Sequence, residues 1–131
     1  SADKFLSAIG RAIAPLPNHI NVQGHTDPRP VNTPAFASNW ELSGMRALAV
    51  GRYFINQHNV SPQRISITGL SEYRPLAPNT TDENMAKNRR VEIHVRYLNE
   101  RGVTPAGIYN RIEDEGINID GRDRPLPDTQ E

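Results

Sequence analysis

Hydrophobic residues recur along the first part of the chain at two different spacings. In Asp3–Ala14 they fall three and four residues apart, which predicts an amphipathic helix that stops at Pro15. In His19–Gly24 they alternate with polar residues, which predicts a short strand. The chain therefore begins as a helix followed by a strand.

A second, longer helix is predicted from Asn39 to Gln57. Its start carries the pattern Ser-x-x-Glu at Ser38 and Glu41, a capping box whose two side chains bond backbone amides that the first turn leaves unpaired. A wide apolar stripe along this helix predicts that it packs against a sheet. Gly44 and Gly51 are weak helix formers, and we interpret them as candidate points of close approach to that sheet.

Two further strands and a short helix are predicted in the second half. Arg64–Thr68 and Arg90–Tyr97 alternate between polar and apolar residues, as half-buried strands do. A proline-containing loop, 69–81, lies between them and leads into a short helix at Asp82–Asn88. In the last strand, alternation assigns Val91, Ile93, Val95 and Tyr97 to the buried face, and Arg90, Glu92, His94 and Arg96 to a face that we expect to be solvated.

These elements predict an α/β (α+β) two-layer sandwich, a small mixed sheet with the helices packed on one side. The first strand, the long helix and the second strand form a right-handed βαβ crossover. We expect residues 1–18 to be an N-terminal helix that leads into the domain, 19–98 to be the core, and 99–131 to be a partly mobile C-terminal extension. Within that extension Pro105–Ile112 fits a short helix, and 116–131 fits a mobile tail or a lid.

The composition excludes several classes of function. The 131 residues are typical of one domain, and the 15 basic side chains equal the 15 acidic ones, so no net field attracts nucleic acid or an anionic membrane. The short basic run 87–90 is better explained by contacts at a helix end than by nucleic acid. There is no cysteine and no apolar run long enough to cross a bilayer. The chain lacks an initiator methionine, so we interpret it as a processed chain or a piece of a longer one.

The candidate reactive residues fit no catalytic or metal motif. His25 and Asp27 lie two residues apart, but no spaced histidine or cysteine set accompanies them, so we predict neither a metal nor another cofactor. We expect His25 to bond loop backbone instead. Asp27 paired with Glu41 or Glu72 leaves open a carboxylate pair of the kind that glycosidases use, which the resemblance described below would make a wall-modifying enzyme.

Asp27 and Arg46 form a further candidate site. Asp27 follows the first strand and Arg46 lies two turns into the long helix, so both fall at the edge of the sheet where open α/β folds bind ligands. An aspartate accepts hydrogen bonds from an ammonium group, and an arginine guanidinium binds a carboxylate through two parallel hydrogen bonds. The pair therefore suits a zwitterionic amino-acid head group. The competing interpretation, which these residues alone favour, is a simple surface ion pair.

Four ordered blocks carry a resemblance to a known family. They are Gly24-His25-Thr26-Asp27, Asn39-Trp40-Glu41-Leu42-Ser43-x-x-Arg46-Ala47, the segment 69–79 (GLSEYRPLAPN), and Asn88-Arg89-Arg90-Val91-Glu92-Ile93. Over residues 19–97 the chain resembles the OmpA-like peptidoglycan-binding domain, and it is most similar to the MotB/PomB branch of flagellar stator proteins. The resemblance implies an OmpA-like fold and a non-enzymatic function.

The resemblance also implies a ligand, a site and partners. The ligand is the peptide stem of peptidoglycan, notably its diaminopimelate, bound by Asp27 and Arg46; this favours the zwitterion site over the ion pair. Further pocket positions match Thr26, Asn39, Leu42, Arg89 and Arg90. The implied parent is an inner-membrane stator protein with this domain in the periplasm, a MotA-type partner and a homodimeric arrangement. The alternatives are an OmpA- or Pal-type envelope tether and a secretion-system anchor.

Overall fold

The computed structural model describes the backbone of residues 2–99 and 102–113 and the side chains of residues 4–96. Seven regular elements lie in these ranges, together with a 3₁₀ turn at Pro62–Arg64. They are α1 (Ala2–Ile13), β1 (Ile20–His25), α2 (Asn39–His58), β2 (Ile65–Gly69), α3 (Asp82–Asn88), β3 (Arg90–Asn99) and β4 (Gly102–Glu113). Up to β3, every predicted element is present, with its ends shifted by two residues at most.

The strands form one mixed sheet in the order β2-β1-β3-β4. β1 pairs with β2 in parallel, with Ile20 opposite Ile65, and pairs with β3 in antiparallel fashion, with Ile20 opposite Val95. Because α2 connects the parallel strands β1 and β2, the predicted βαβ unit is confirmed. β1 therefore lies inside the sheet, paired on both sides, and its carboxyl end is held in place.

The helices pack against one face of this sheet, as predicted. The main core joins α1, α2 and the apolar face of β1 and β3, and it consists of Leu6, Ile9, Ile13, Ile20, Val22, Ala47, Val50, Phe54, Val60, Val91 and Ile93. Burying these side chains fixes which face of each strand meets the helices, since adjacent residues on a strand point to opposite faces. Among the described residues, no helix is long and apolar enough to cross a membrane.

The start of α2 is capped where the sequence predicts it. The Ser38 hydroxyl accepts a hydrogen bond from the Trp40 amide at 3.1 Å and donates one to the Glu41 carboxylate. That bond from Ser38 lowers the pKa of Glu41. The cap fixes the first turn of α2, which contributes Asn39 to the site described below.

Two predictions about the later strands are wrong. Pro105–Ile112 is not a helix but part of β4, because it pairs with β3 along most of its length, with Ile112 opposite Val91 and Ile108 opposite Val95. This long-range pairing outweighs a weak local helical pattern. The predicted tail at 116–131 lies outside the described residues.

The second wrong prediction concerns the polar face of β3. Arg90 and Glu92 are only 2% and 7% exposed, although they were expected to be solvated. They are buried together because Arg90 Nε donates to Glu92 Oε2 at 2.6 Å and Arg90 Nη2 donates to the Arg74 carbonyl at 2.9 Å. A charged pair with its own hydrogen bonds can be buried where a single charge cannot.

Candidate functional site

The candidate site is a recess where the carboxyl end of β1 meets the first half of α2. β1 leads directly into Thr26 and Asp27, α2 contributes three residues from its first two turns, and the residue before β3 closes the recess. The recess has a volume of about 160 Å³, part of it open to solvent, and it is lined by Thr26, Asp27, Arg29, Asn39, Leu42, Arg46 and Arg89. Six of the seven predicted site residues are therefore brought together.

Asp27 lies at the centre of the charges in this recess. Its side chain is buried, and its Oδ2 accepts from Arg29 Nη2 at 2.9 Å and from Arg89 Nη1 at 3.0 Å. Its Oδ1 accepts from the backbone amide of Arg29 at 2.9 Å. The carboxylate is thus fixed in orientation and ion-paired from both sides, and Arg29 is the more exposed of the two partners.

Asn39 and Thr26 hold the loop that carries Asp27. Asn39 Nδ2 lies 3.3 Å from the Asp27 carbonyl, 3.1 Å from the Arg29 carbonyl and 3.3 Å from Glu72 Oε1. Thr26 Oγ1 donates to the Asp27 carbonyl at 2.9 Å. Both residues line the recess, and their hydrogen bonds also fix the shape of its rim.

Arg46 places a buried guanidinium at the same recess. It lies seven residues after Asn39 on α2, which is close to two full turns, so both face the same side of the helix. Its side chain is only 2% exposed. The lining therefore contains three arginines against one aspartate, an excess of positive charge that suits a ligand bearing a carboxylate.

Arg90 lies apart from the recess, although the resemblance matched it to a pocket position. Its guanidinium bonds Glu92, the Asn88 carbonyl and the Arg74 carbonyl on the other face of the sheet. Arg89 instead lines the recess. Strand alternation agrees with this division, because Arg89 lies two residues before Val91 and falls on its helix-facing side, whereas Arg90 falls on the opposite face.

The loop between β1 and α2 is packed by its own hydrophobic residues. Val31 and Phe36 are 7% and 2% exposed and form a second small core with Leu42, against which Met45 packs. The sequence alone does not assign a role to residues 29–36. The packing gives Val31 and Phe36 a structural role, which is to form the core of the loop. Arg29 was not predicted as a site residue. It follows Asp27 by two residues, with Pro28 between them, and its side chain bonds back to the Asp27 carboxylate.

Comparison with known proteins agrees with this architecture. A family model described as the OmpA family matches residues 1–89. The chain belongs to the OmpA family.

Relatives of this OmpA-family chain include motility and cell-wall proteins. It is 41% identical over 91 residues to Motility protein B of Helicobacter pylori strain J99, a match that covers 68% of this chain and 35% of that protein. The solved C-terminal domain of Helicobacter pylori MotB is 38% identical with a TM-score of 0.66, covering 71% of each chain. The cell wall anchor of the type VI secretion system (T6SS) from Pseudomonas aeruginosa is 35% identical with a TM-score of 0.65, covering 70% of this chain and 63% of that one.

The OmpA-family chain spans 40% or less of the length of the first curated relatives that it matches. The common part is therefore a domain that these longer proteins share. In the solved relatives the match covers a larger share, because those structures contain mainly the equivalent region.

In this OmpA-family domain, His25 is buried on the polar face of the sheet, which is the face opposite the helices. The ring is 2% exposed and neither ring nitrogen makes a hydrogen bond within the described part of the chain, contrary to the expected contact with loop backbone. Its Nε2 lies 3.8 Å from Glu92 Oε2. Burial, and then the Arg90 charge, lower the pKa of His25 from 6.5 to about 4, so the ring is neutral near pH 7.

Within the described residues there is no group of three or more histidine, cysteine, aspartate or glutamate side chains placed to hold a metal ion. The other carboxylates considered with Asp27 have different surroundings. Glu72 bonds Asn39 at the rim, and Glu41 bonds the helix cap.

Proposed function

We propose that this domain binds the peptide stem of cell-wall peptidoglycan in the recess without catalysing a reaction, and so anchors a longer protein to the wall. The observation that carries the proposal is the convergence of Asp27 with Arg29, Arg46 and Arg89 in one recess. The names of the relatives agree with it, since they include a cell wall anchor and a peptidoglycan-binding protein.

The charges suit the free end of a diaminopimelate side chain, which carries an ammonium and a carboxylate on one carbon. The Asp27 carboxylate accepts from the ammonium, and the arginine side chains bind the carboxylate. Arg29 is the partner that the ammonium displaces from Asp27, because its side chain is 22% exposed whereas that of Arg89 is 10% exposed. Thr26, Asn39 and Leu42 complete the wall of the recess.

The parent protein that we propose is a flagellar stator subunit of the MotB type. In this arrangement the domain lies in the periplasm, the parent is held in the inner membrane next to a MotA-type subunit, and two copies of the domain associate. Support comes from the sequence identity to Motility protein B and from the similarity to solved MotB periplasmic domains.

Binding to purified sacculi tests the site. We expect the wild-type domain to sediment with sacculi, and Asp27→Ala and Arg46→Ala to stay in solution. Arg46→Lys keeps the positive charge but loses the bidentate hydrogen bonding of the guanidinium, so this variant should bind sacculi about tenfold more weakly. Arg52→Ala is the matched control, since Arg52 lies on the same helix but is exposed.

Folding must be checked in the same samples. Asp27 and Arg46 are buried charges, and removing one partner of a buried pair costs about 3–5 kcal/mol. Circular dichroism of each variant separates lost binding from lost structure. Sacculus binding that is undiminished in folded Asp27→Ala and Arg46→Ala would refute the assigned site.

A second parent is favoured by one specific observation, the similarity to the cell wall anchor of the T6SS. The residues upstream of Ser1 in the full gene distinguish the parents. A single membrane helix that contains an aspartate indicates a stator, whereas a β-barrel or a lipid-attachment motif indicates an OmpA- or Pal-type tether.

The enzymatic alternative is tested by incubating the domain with sacculi and analysing the soluble fraction. The proposal predicts no released muropeptides. Release that Asp27→Asn abolishes would show instead that Asp27 takes part in wall cleavage.

A further inference from the structure

Two exposed aromatic rings are paired beside the recess. Trp40 is 52% exposed and Tyr73 is 62% exposed, and their ring centroids lie 5.5 Å apart with a 33° angle between the planes. Single exposed aromatic residues are common on protein surfaces. Two rings held in contact form a preorganised apolar platform that loses little entropy when a ligand binds to it.

The platform is carried by two segments that meet at the rim of the recess. Trp40 follows Asn39, a lining residue, and Tyr73 follows Glu72. Asn39 Nδ2 and Glu72 Oε1 lie 3.3 Å apart, so one hydrogen bond joins the two segments that carry the rings. Both rings therefore belong to residues that are next in sequence to this hydrogen-bonded pair at the rim.

We propose that the Trp40–Tyr73 pair binds the face of a sugar ring in the glycan strand of peptidoglycan. This inference rests on the proposed function, because the peptide stem is covalently attached to that glycan and so keeps it within a few residues' reach of the recess when the stem is bound. A sugar ring has a C–H-rich face that stacks on aromatic rings, while its hydroxyl groups at the edge remain in water. The pair is far smaller than the roughly 800 Å² per partner of a stable protein interface, which favours a sugar over a protein.

The test uses Trp40 as its own reporter, since it is the only tryptophan in the chain. The ligands are a peptide-free tetrasaccharide of alternating N-acetylglucosamine and N-acetylmuramic acid, the free stem peptide, and the disaccharide carrying that peptide. We expect the tetrasaccharide to change Trp40 emission saturably. In calorimetry we expect Trp40→Ala and Tyr73→Ala to bind the disaccharide-peptide about tenfold more weakly and the free stem peptide as wild type does.

Three control variants accompany these. Trp40→Phe and Tyr73→Phe keep an aromatic ring and should restore most of the affinity for the disaccharide-peptide. Phe5→Ala removes a ring on α1 that is as exposed as Tyr73, and should have no effect. Trp40→Ala preserves the helix cap, because Ser38 is bonded by the Trp40 backbone amide and not by its ring.

Failure of the inference and failure of the proposed function give different results. If the free stem peptide binds wild type but Trp40→Ala and Tyr73→Ala bind the disaccharide-peptide as tightly as wild type, the glycan platform is refuted and the anchor proposal stands. If the stem peptide does not bind wild type, the anchor proposal itself fails. Trp40 emission that depends on protein concentration and not on sugar would identify the rings as a self-association surface and overturn the inference.

Discussion

At the scale of single residues, His25 shows how the polar face of the sheet differs from an ordinary solvated face. Its ring lies among the side chains of Arg74, Arg90, Glu92 and His94. Burial alone would raise the pKa of Glu92, but hydrogen bonds from His94 and Arg90 outweigh it and lower that pKa instead. The carboxylate of Glu92 is therefore ionised at neutral pH, and His25 beside it is neutral.

This neutral histidine predicts a specific pH dependence of stability. The unfolded chain protonates His25 near pH 6.5, whereas the folded chain does so only near pH 4, so the unfolded state binds more protons between these values. The contribution of His25 to the free energy of unfolding is full above pH 6.5. It falls by up to about 1.4 kcal/mol per pH unit as the pH drops towards 4.

Urea denaturation of wild type and His25→Gln at pH 7, 5.5 and 4.5 measures this effect. The glutamine does not titrate, so the loss of stability on acidification should be smaller in the variant. Identical pH profiles for the two proteins would show that His25 does not titrate in the way its burial requires.

At the scale of elements, the recess depends on how closely α2 approaches the ends of β1 and β2. A methyl group on Gly24 would lie 2.0 Å from the Ser43 carbonyl oxygen, and one on Gly69 would lie 2.8 Å from the Gly44 nitrogen. Only glycine allows strand and helix backbones to touch in this way. The contact places Arg46 of α2 against the loop that carries Asp27.

A matched pair of substitutions tests this contact. Gly24→Ala must push α2 outwards, so we expect a loss of about 2 kcal/mol or more of stability together with weaker sacculus binding. Gly44→Ala adds a methyl group into open space on the same helix, and it should stabilise the domain by about 0.5–1 kcal/mol without affecting binding. A normal, sacculus-binding Gly24→Ala domain would contradict the close approach seen here.

The sequence predicted the elements well where hydrophobic periodicity and caps were strong, as in α2 and β1. It misplaced β4 because the pairing of that strand with β3 is a long-range interaction with a weak local pattern. It predicted that Gly44 and Gly51 mark close approach, and a methyl group on Gly51 would indeed lie 2.6 Å from Ile67 Cδ1. A methyl group on Gly44 would meet open space, and the tightest contact, at Gly24, was not predicted. Which glycine is crowded depends on tertiary geometry that spacing does not encode.

The candidate site was predicted in the same uneven way. Asp27 and Arg46 were chosen from their places at a strand end and a helix start, and the structure brings both into one recess. Arg90 was matched to the pocket through the resemblance, although strand alternation places it on the opposite face of the sheet. Arg29 was omitted because it lies in a loop, where neither a period of two nor a period of 3.6 applies.

At the scale of the whole molecule, the sheet, the helices and the loops converge on the recess that we propose as the binding site. The sheet and the capped helix α2 fix the backbone, Asn39 fixes the loop, and the arginines outnumber the aspartate in the recess. Arg29 is the lining residue that must move when the proposed ligand binds, since its side chain is paired with Asp27. The exposed ring pair of Trp40 and Tyr73 lies on the two segments that are joined at the rim by Asn39 and Glu72.

The most direct test of the central claim is calorimetric titration with two soluble stem peptides that differ only in their third residue. One contains diaminopimelate, and the other contains lysine, which has the side-chain ammonium but lacks the second carboxylate. If the recess recognises a zwitterionic head group, wild type should bind the diaminopimelate peptide at least about tenfold more tightly, and Arg46→Lys should lose most of that preference. Equal affinity of wild type for the two peptides would contradict the account.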